Sequence, residues 1–461
     1  MYFMSILKLL SKYLLPALLF AVFSLLSFPP LNFNLLAYVM FVPILVSMKY
    51  YSNIGKMNFI LPVIYGGISG SLIVLQLFYY PIFDPFQDNK IYYVAFLYFA
   101  LYFSFLFISW RAIQKKMSRF AILVIPLYTI LFEEIINSIP MLFPLYATLS
   151  LSVGSNVLNA IRLIGIQGCA ALIVLVNSLI ASTVFLFMGH EKKLFRLPQY
   201  ISLLTVLLLT FQFNTTFPLF SQGKNKKPEA AISISYLQAA IPQWQFSYLP
   251  YSTTTQKKIA GTYFKMLNTV KNADCVVLPE SAIVGSFKQT KVQIDTLKTW
   301  AKKNDTALIV NSMYRTSKIG ETNAALHIAA NGKIVNTYGK MNLVLFNESG
   351  RFTQGNSIKT FTIQNKKAGI LICFDGLFAH MYNRLKKAGA DFIISLNNDT
   401  AAGLSSVPHL HFAYSRIYAA HYDIPIIHVS QAGCSGTALP DGSVAGYLPP
   451  YKNDISRVIM Y

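Results

Sequence analysis

Seven long apolar runs occupy the first ~220 residues, and a series of that kind cannot be folded into a water-soluble core. They lie near Leu10–Phe28, Leu35–Met48, Phe59–Phe83, Ile91–Trp110, Phe120–Leu142, Leu163–Met188 and Leu197–Phe217. Most are long enough for a hydrocarbon core of about 30 Å. The second is short and carries Pro43. The first is followed by further runs and has no small-residue cleavage site, so it reads as an uncleaved helix rather than a signal peptide. Only 12% of the chain is charged, against about a quarter in soluble domains.

Lys and Arg outnumber Asp and Glu by 39 to 18, yet the excess does not read as a nucleic-acid footprint. The basic residues sit in short loops between the apolar runs: Lys8 and Lys12, then Lys49 and Lys56, then Arg111, Lys115, Lys116 and Arg119, then His190–Arg196. The alternate loops, such as Asp84–Lys90, are poor in Lys and Arg. The positive-inside rule puts the basic loops on the cytoplasmic side, and seven spans then leave everything after Phe217 outside. Glu133 and Glu134 fall within the fifth run, where carboxylates need a partner. Gln167 or Asn177 on a neighbouring helix is the expected one.

After a polar linker at Ser221–Pro228 the periodicity changes. Short β-rich runs at Ile232–Gln238, Cys275–Leu278, Ala307–Val310, Ala325–Ala329, Ile370–Cys373, Phe392–Leu396 and Ile424–Val429 read as strands. Ser252–Asn272, Val292–Lys303, Phe378–Ala388 and His409–Tyr422 read as helices, and Asn331–Gly332 and Asp441–Gly442 as hairpin turns. The expected organisation is therefore a multi-span α-helical membrane domain over 1–220, a linker over 221–228, and an α/β domain over 229–461.

Three strand ends in that second part carry chemistry. Cys373 closes the apolar strand AGILIC at a polar turn; by itself it would be a small buried hydrophobe. Glu280 follows CVVLP, and Lys340 follows the hairpin strand ending Tyr338–Gly339. Alone, each would be a surface residue. Together they form a complementary set: a thiol nucleophile, a cation that favours thiolate and oxyanion, and a carboxylate to move the proton. Four cysteines supply neither a disulfide framework nor metal spacing. His409 and His411, two apart, do not share a helix face and read as helix-start polar residues. Asp274 reads as a turn residue, and Cys169 and Cys434 as structural.

LPE at 278–280, YGK at 338–340 and ICFD at 372–375 resemble, in order and spacing, the Glu–Lys–Cys triad of the nitrilase (carbon–nitrogen hydrolase) superfamily. Joined to preceding membrane spans, they resemble the apolipoprotein N-acyltransferase family. LQAAIPQ at 237–243, KMNLVLFNE at 340–348, LNND at 396–399, PHLH at 408–411 and Arg416 extend the likeness over nearly the whole chain. The resemblance implies an αββα sandwich and a ping-pong acyl transfer. A phospholipid would donate the acyl chain through a Cys373 thioester to the amine of a diacylglyceryl-cysteine lipoprotein. Glu280 would be the general base and Lys340 the oxyanion support. Glu348, Phe374, Asp375 and Asn398 would be accessory, with no cofactor or metal required. The implied location is the bacterial inner membrane, with the catalytic domain on the periplasmic side.

The sequence departs from that family at three places. Phe374–Asp375 stands where Tyr–Glu is usual, and Thr400–Ala401 where Trp–Phe is usual. No final apolar span is evident before Tyr461, which gives the expectation of a domain anchored at one end. Two other readings use the same residues: a hydrolase or amidase with water as acceptor, and a silent lipid- or lipoprotein-binding homologue.

Overall fold

The computed structural model describes residues 14–51, 57–83, 90–117, 120–139, 155–188, 201, 231–242, 245, 253–315, 320–345 and 348–461. The chain divides into two compact units, one drawn mainly from residues before 220 and the other mainly from those after it.

The first unit is helical: α1 (Leu15–Ser27), α2 (Val42–Tyr50), α3 (Met57–Phe83), α4 (Lys90–Lys116), α5 (Ala121–Asn137) and α6 (Ser155–Phe187). Three stretches, Phe59–Phe78, Tyr92–Lys116 and Ala160–Phe185, are long and apolar enough to cross a bilayer. The second expected run differs from a span. It breaks into a 3₁₀ turn at Asn34–Tyr38 and the nine-residue α2, only about 14 Å long. Pro43, with no N–H to donate and a helical φ, sits in the first turn of α2 and starts the helix there. The seventh run, apart from Ile201, and the linker at 221–228 lie outside the described residues, as do Lys8, Lys12, Lys56, Arg119 and His190–Arg196.

This unit exposes apolar side chains on its outside and holds hydrogen-bonded polar groups among the apolar side chains of its interior, as suits a bilayer. On α5, Leu123, Leu127, Leu131 and Ile135 recur every four residues and are all more than half exposed. Within, Trp110 Nε1 donates to Thr129 Oγ1 at 2.9 Å. Asn177 accepts from the Phe41 amide and donates to the Ala37 carbonyl, each at 2.8 Å. Gln167 Nε2 donates to Glu134 Oε1 at 2.9 Å, one of the two expected pairings. Phe20, Phe41, Phe103, Phe107 and Trp110 form an aromatic cluster with centroids 5.1–6.0 Å apart.

Helices α3 and α4 meet through Gly66 and Gly70, one turn apart on α3. A Cβ on Gly66 would lie 2.2 Å from the Ser104 amide, and one on Gly70 2.4 Å from the Phe99 carbonyl. Only glycine admits backbones that close.

The second unit is two stacked six-stranded sheets. The first has the order β12-β1-β2-β3-β4-β5 and the second β11-β10-β9-β8-β7-β6. Their ranges are β1 Ile232–Gln238, β2 Cys275–Val277, β3 Ala307–Tyr314, β4 Thr322–Ile328, β5 Ile334–Gly339, β6 Thr360–Ile363, β7 Lys366–Ile372, β8 Phe392–Asn397, β9 Ile426–Ser430, β10 Ser435–Ala438, β11 Val444–Leu448 and β12 Asp454–Met460. The centres, β1-β2-β3 and β7-β8-β9, are parallel, and the flanks antiparallel. Ile234, Val277, Ile309, Ile370, Ile394 and Ile427 belong to the core between the sheets. Helices α7 (Thr253–Leu267) and α8 (Phe287–Asn304) cover the first sheet, burying Tyr263 and Leu297 against Val276 and Leu308. Helices α9 (Ala379–Lys387) and α10 (Val407–Tyr422) belong to the second half. This is the αββα sandwich.

Helix α8 begins five residues earlier than its apolar spacing suggests, because Ser286 and Gln289 form a reciprocal capping box. Strands β6, β10, β11 and β12 have no range in the sequence-based expectation, which marks β10 and β11 only by the Asp441–Gly442 turn between them. The first three are four or five residues long, and β12 is an edge strand with polar residues interleaved.

Replacing Gly70 by Leu is expected to force α3 off α4 at a cost of about 1–3 kcal/mol. A thermal melt of the detergent-solubilised protein would check this; an unchanged Tm would show that the close approach is not needed.

Candidate active site

The three residues singled out by sequence sit just beyond strand C-termini, those of β2 and β7 in the parallel centres and that of β5 on an antiparallel flank. Glu280 follows β2, Lys340 follows β5 and Cys373 follows β7. Lys340 is almost fully buried and lies 3.2 Å from Glu280 Oε1 and 2.9 Å from Glu348 Oε1. A buried ammonium is tolerable only with such partners. Asn323 Nδ2 donates to the same two oxygens, at 2.8 and 3.2 Å. Two donors and two acceptors therefore alternate around a ring. Glu348 turns its other oxygen to the Val344 amide at 2.9 Å.

Asn323 is itself held. Asn311 Nδ2 donates to its Oδ1 at 2.6 Å, while Asn311 Oδ1 accepts the Ser281 amide at 2.9 Å. Both asparagines went unremarked in the sequence. The available signal was a polar amide inside each of the apolar strands ALIVNSMY and TNAALHI, where Asn is disfavoured.

Burial raises the Glu280 carboxyl above its ordinary range, with Lys340 and Asn323 pulling the other way. Burial works against the Lys340 charge, but Glu280 and Glu348 outweigh it and hold the ammonium proton well above its ordinary value. For Glu348, burial is overcome by Lys340 and the Val344 amide, and its pKa falls. The Cys373 thiol is pushed well up by burial and by Glu280, with Lys340 opposing. The resting thiol keeps its proton and needs a base to remove it.

Cys373 is partly exposed and adopts a left-handed backbone, φ +47°. For a residue with a Cβ this costs on the order of 1–3 kcal/mol, so its surroundings must impose it. A 3₁₀ turn, Cys373–Leu377, follows directly. In that turn Asp375 is fully buried. It accepts from Tyr338 Oη at 2.8 Å, from the Asn342 amide at 2.7 Å and Nδ2 at 3.0 Å, and from the Met341 and Ile372 amides. Burial pushes its carboxyl up to about 6 against those donors. Asp375 thus ties the cysteine turn to the residues on either side of Lys340. Phe374 packs edge-on against Phe378, centroids 5.1 Å apart. Asn398 Oδ1 accepts the Thr400 amide at 3.1 Å, bracing its own turn.

His411 lies in the first turns of α10, as expected of a helix-start residue, and is buried in this region. Its Nδ1 lies 2.7 Å from Asp399 Oδ1 and its Nε2 3.3 Å from the Cys373 carbonyl. Ser430 Oγ donates to Asp399 Oδ2 at 2.7 Å, and Ser415 Oγ lies 2.8 Å from His428 Nδ1. Ligand atoms of Asp399, His411 and His428 fall within 4.8 Å of one another. However, the 2.7 Å between Asp399 and His411 is a direct hydrogen bond, shorter than the roughly 3.3 Å edge of a tetrahedral zinc site. His409 instead faces Cys434, Nδ1 to Sγ 3.5 Å. Arg416 Nη2 donates to the Gly442 carbonyl at 2.9 Å, and Asp274 receives the Ser233 amide at 2.7 Å.

Comparison with known proteins bears on this arrangement. The family model described as carbon-nitrogen hydrolase matches residues 235–458, and the one described as the apolipoprotein N-acyltransferase N-terminal domain matches residues 20–179. Together the two matches support identification of the chain with the apolipoprotein N-acyltransferases. The apolipoprotein N-acyltransferase of Geobacter metallireducens is 22% identical over 315 residues, covering 63% of this chain and 58% of that protein. That of Haemophilus ducreyi is also 22% identical, over 63% of this chain and 60% of its own length. The chain thus spans about three-fifths of these two curated relatives. A solved amidase of the nitrilase superfamily from Nesterenkonia AN1 matches half of this chain and 90% of its own, at 16% identity and a TM-score of 0.41.

Asn323→Leu would remove a donor from both glutamate oxygens at once. The expected cost is about 1–3 kcal/mol, seen as a lower Tm with unchanged far-UV circular dichroism. Asn323→Asp, adding a third carboxylate to the ring, should cost more than the leucine.

Proposed function

We propose that this membrane protein transfers a fatty acyl chain from a phospholipid, through a thioester on Cys373, to the α-amine of the N-terminal diacylglyceryl-cysteine of apolipoproteins. The observation that carries the reading is the buried Lys340 held between Glu280 and Glu348 beside a partly exposed thiol. The two family-model matches support it.

In the first half-reaction Glu280 takes the Cys373 proton as the sulfur attacks the ester carbonyl. The oxyanion of the tetrahedral intermediate is stabilised by the Lys340 ammonium. As the C–O bond breaks, Glu280 returns the proton to the leaving oxygen of the lyso-phospholipid. In the second, the amine attacks the thioester, Glu280 takes an amine proton, and the C–S bond breaks to regenerate the thiol. Glu348 keeps Lys340 in place. Every step moves a proton among groups of this chain or its substrates, so no cofactor is written into it.

Both substrates carry acyl chains, so an enzyme embedded in the bilayer meets them where they reside. The basic loops at Lys49 and at Arg111, Lys115 and Lys116 support a cytoplasmic side for those loops and a periplasmic, inner-membrane location for the catalytic unit. Labelling of intact spheroplasts tests this. A cysteine at Lys302, on the exposed surface of the catalytic unit, should react with a membrane-impermeant maleimide; reaction only after lysis would place that unit inside.

Intact-mass spectrometry of the detergent-solubilised protein with phosphatidylethanolamine, then a diacylated lipopeptide, tests the chemistry. A fatty-acyl mass should appear on the protein and move to the peptide amine. Cys373→Ala should abolish the adduct. An adduct lost only to water would make this a hydrolase, and no adduct with any phospholipid would overturn the reading. Because burial raises the Glu280 pKa, the acid limb of acylation should lie above the ordinary carboxylate range. Its base is active only when ionised, so the rate should rise with pH through that limb. Glu280→Gln should lose both limb and rate.

A further inference from the structure

We propose that His411 and Asp399 are a positioning pair for the proposed nucleophile: a doubly donating imidazolium clamps the Cys373 carbonyl and so keeps Cys373 in its left-handed conformation. The inference rests on the Cys373 role given above and adds two residues to it.

The geometry supports a charged ring. Asp399 is buried, and its carboxylate receives Ser430 Oγ on one oxygen and faces His411 Nδ1 with the other. A carbonyl can only accept, so Nε2 must donate to Cys373 O. Both ring nitrogens therefore carry protons. Burial opposes that charge, but Asp399 outweighs it and raises the His411 pKa. The titratable groups facing His411 are Asp399, His428, Cys373 and Glu280. His428, its ring 5.0 Å away and edge-on, is held neutral by burial and by the His411 charge. It does not compete for the proton.

Chain geometry makes the contact matter. Cys373 is the pivot between β7 and the following 3₁₀ turn, and its φ of +47° is disfavoured for any residue with a side chain. Asp375 secures the far side of the pivot. His411 secures the cysteine peptide itself. Without it the peptide is free to relax, and the sulfur moves relative to the Lys340 cluster.

The sign of the pH effect follows. A raised folded-state pKa means the clamp is complete below the ordinary histidine value and is lost as pH rises through the raised one. When the ring loses a proton, Asp399 retains the one on Nδ1. The Nε2 lone pair then faces the Cys373 carbonyl lone pairs, and the contact turns repulsive.

The test uses full-length protein in detergent and two near-isosteric variants that separate the two nitrogens. His411→Gln places an amide N–H near the Nε2 position and cannot titrate. His411→Asn places one near Nδ1 and cannot reach Cys373. The glutamine is expected to keep most of the acylation kcat and to lose the alkaline limb of its pH profile. The asparagine should lose kcat by about ten-fold or more with KM for phospholipid little changed. Iodoacetamide alkylation of Cys373 at pH 7.5 should slow in the asparagine variant and not in the glutamine. If both variants behave alike, or the glutamine keeps the alkaline limb, the proposal fails. If no variant or wild type acylates but alkylation separates them as described, the acyl-transfer reading fails and the clamp stands.

Discussion

The burial of one ammonium group sets the terms for the rest of the second unit. Lys340 is 1% exposed, and a charge removed from water that far costs several kcal/mol unless it is paired and hydrogen-bonded. The remedy draws on β2, β4, β5 and the segment leading to Glu348, each of which must end or pass at the right height. Asn323 meets both carboxylates, and Asn311 stops Asn323 from rotating. A four-atom ring of alternating donors and acceptors is satisfied only when the three strands are in register and the Glu348 segment meets them. Register errors of one residue would turn Asn323 to the opposite face and break it.

Cys373, the proposed nucleophile, is held from the other sheet; one carboxylate connects the halves and a second braces the cysteine from its own side. Asp375, in the turn after β7, reaches across to Tyr338, Met341 and Asn342 around Lys340. Asp399, after β8, works through His411 on the cysteine peptide. The apolar core between the sheets, built from Ile309, Ile370, Ile394 and their neighbours, keeps these ends at a fixed spacing. Strain at Cys373 is therefore a local cost carried by a stiff frame. The shorter Asp375, standing where the family usually has Glu, still reaches five donors, so its retraction is met by the backbone it faces.

What could be read in advance was what is encoded locally. Apolar run length marked the helices of the first unit, and apolar runs ending in Glu280, Lys340 and Cys373 marked strand ends that the fold does bring to one edge. Pro43 and Ser286 moved helix boundaries by ordinary first-turn chemistry that spacing alone did not weigh. Contacts made across the sandwich were not legible. Asn311 and Asn323 are polar residues in apolar strands whose partner lies on the neighbouring strand. His411 reads only as a helix-start polar residue until the fold packs it under Cys373. Side-chain hydrogen bonds between distant elements leave no periodic trace, and β12, paired to β1 from the far end of the chain, leaves little more.

On the proposed mechanism, the charge count of the cluster explains how Glu280 acts as base in so dry a place. With Glu280 and Glu348 ionised and Lys340 protonated, the ring carries a net −1. Moving the thiol proton to Glu280 neutralises the ring and creates the thiolate beside it, so the buried region as a whole keeps the same charge. What changes is only where the negative charge sits, and it shifts from an oxygen paired with Lys340 to a sulfur that the same ammonium favours. The raised pKa of Glu280 and the raised pKa of the thiol thus offset each other: burial lifts both, and the proton passes between groups lifted together. Had Lys340 been exposed, water would have screened it from both partners and removed the attraction that opposes both rises.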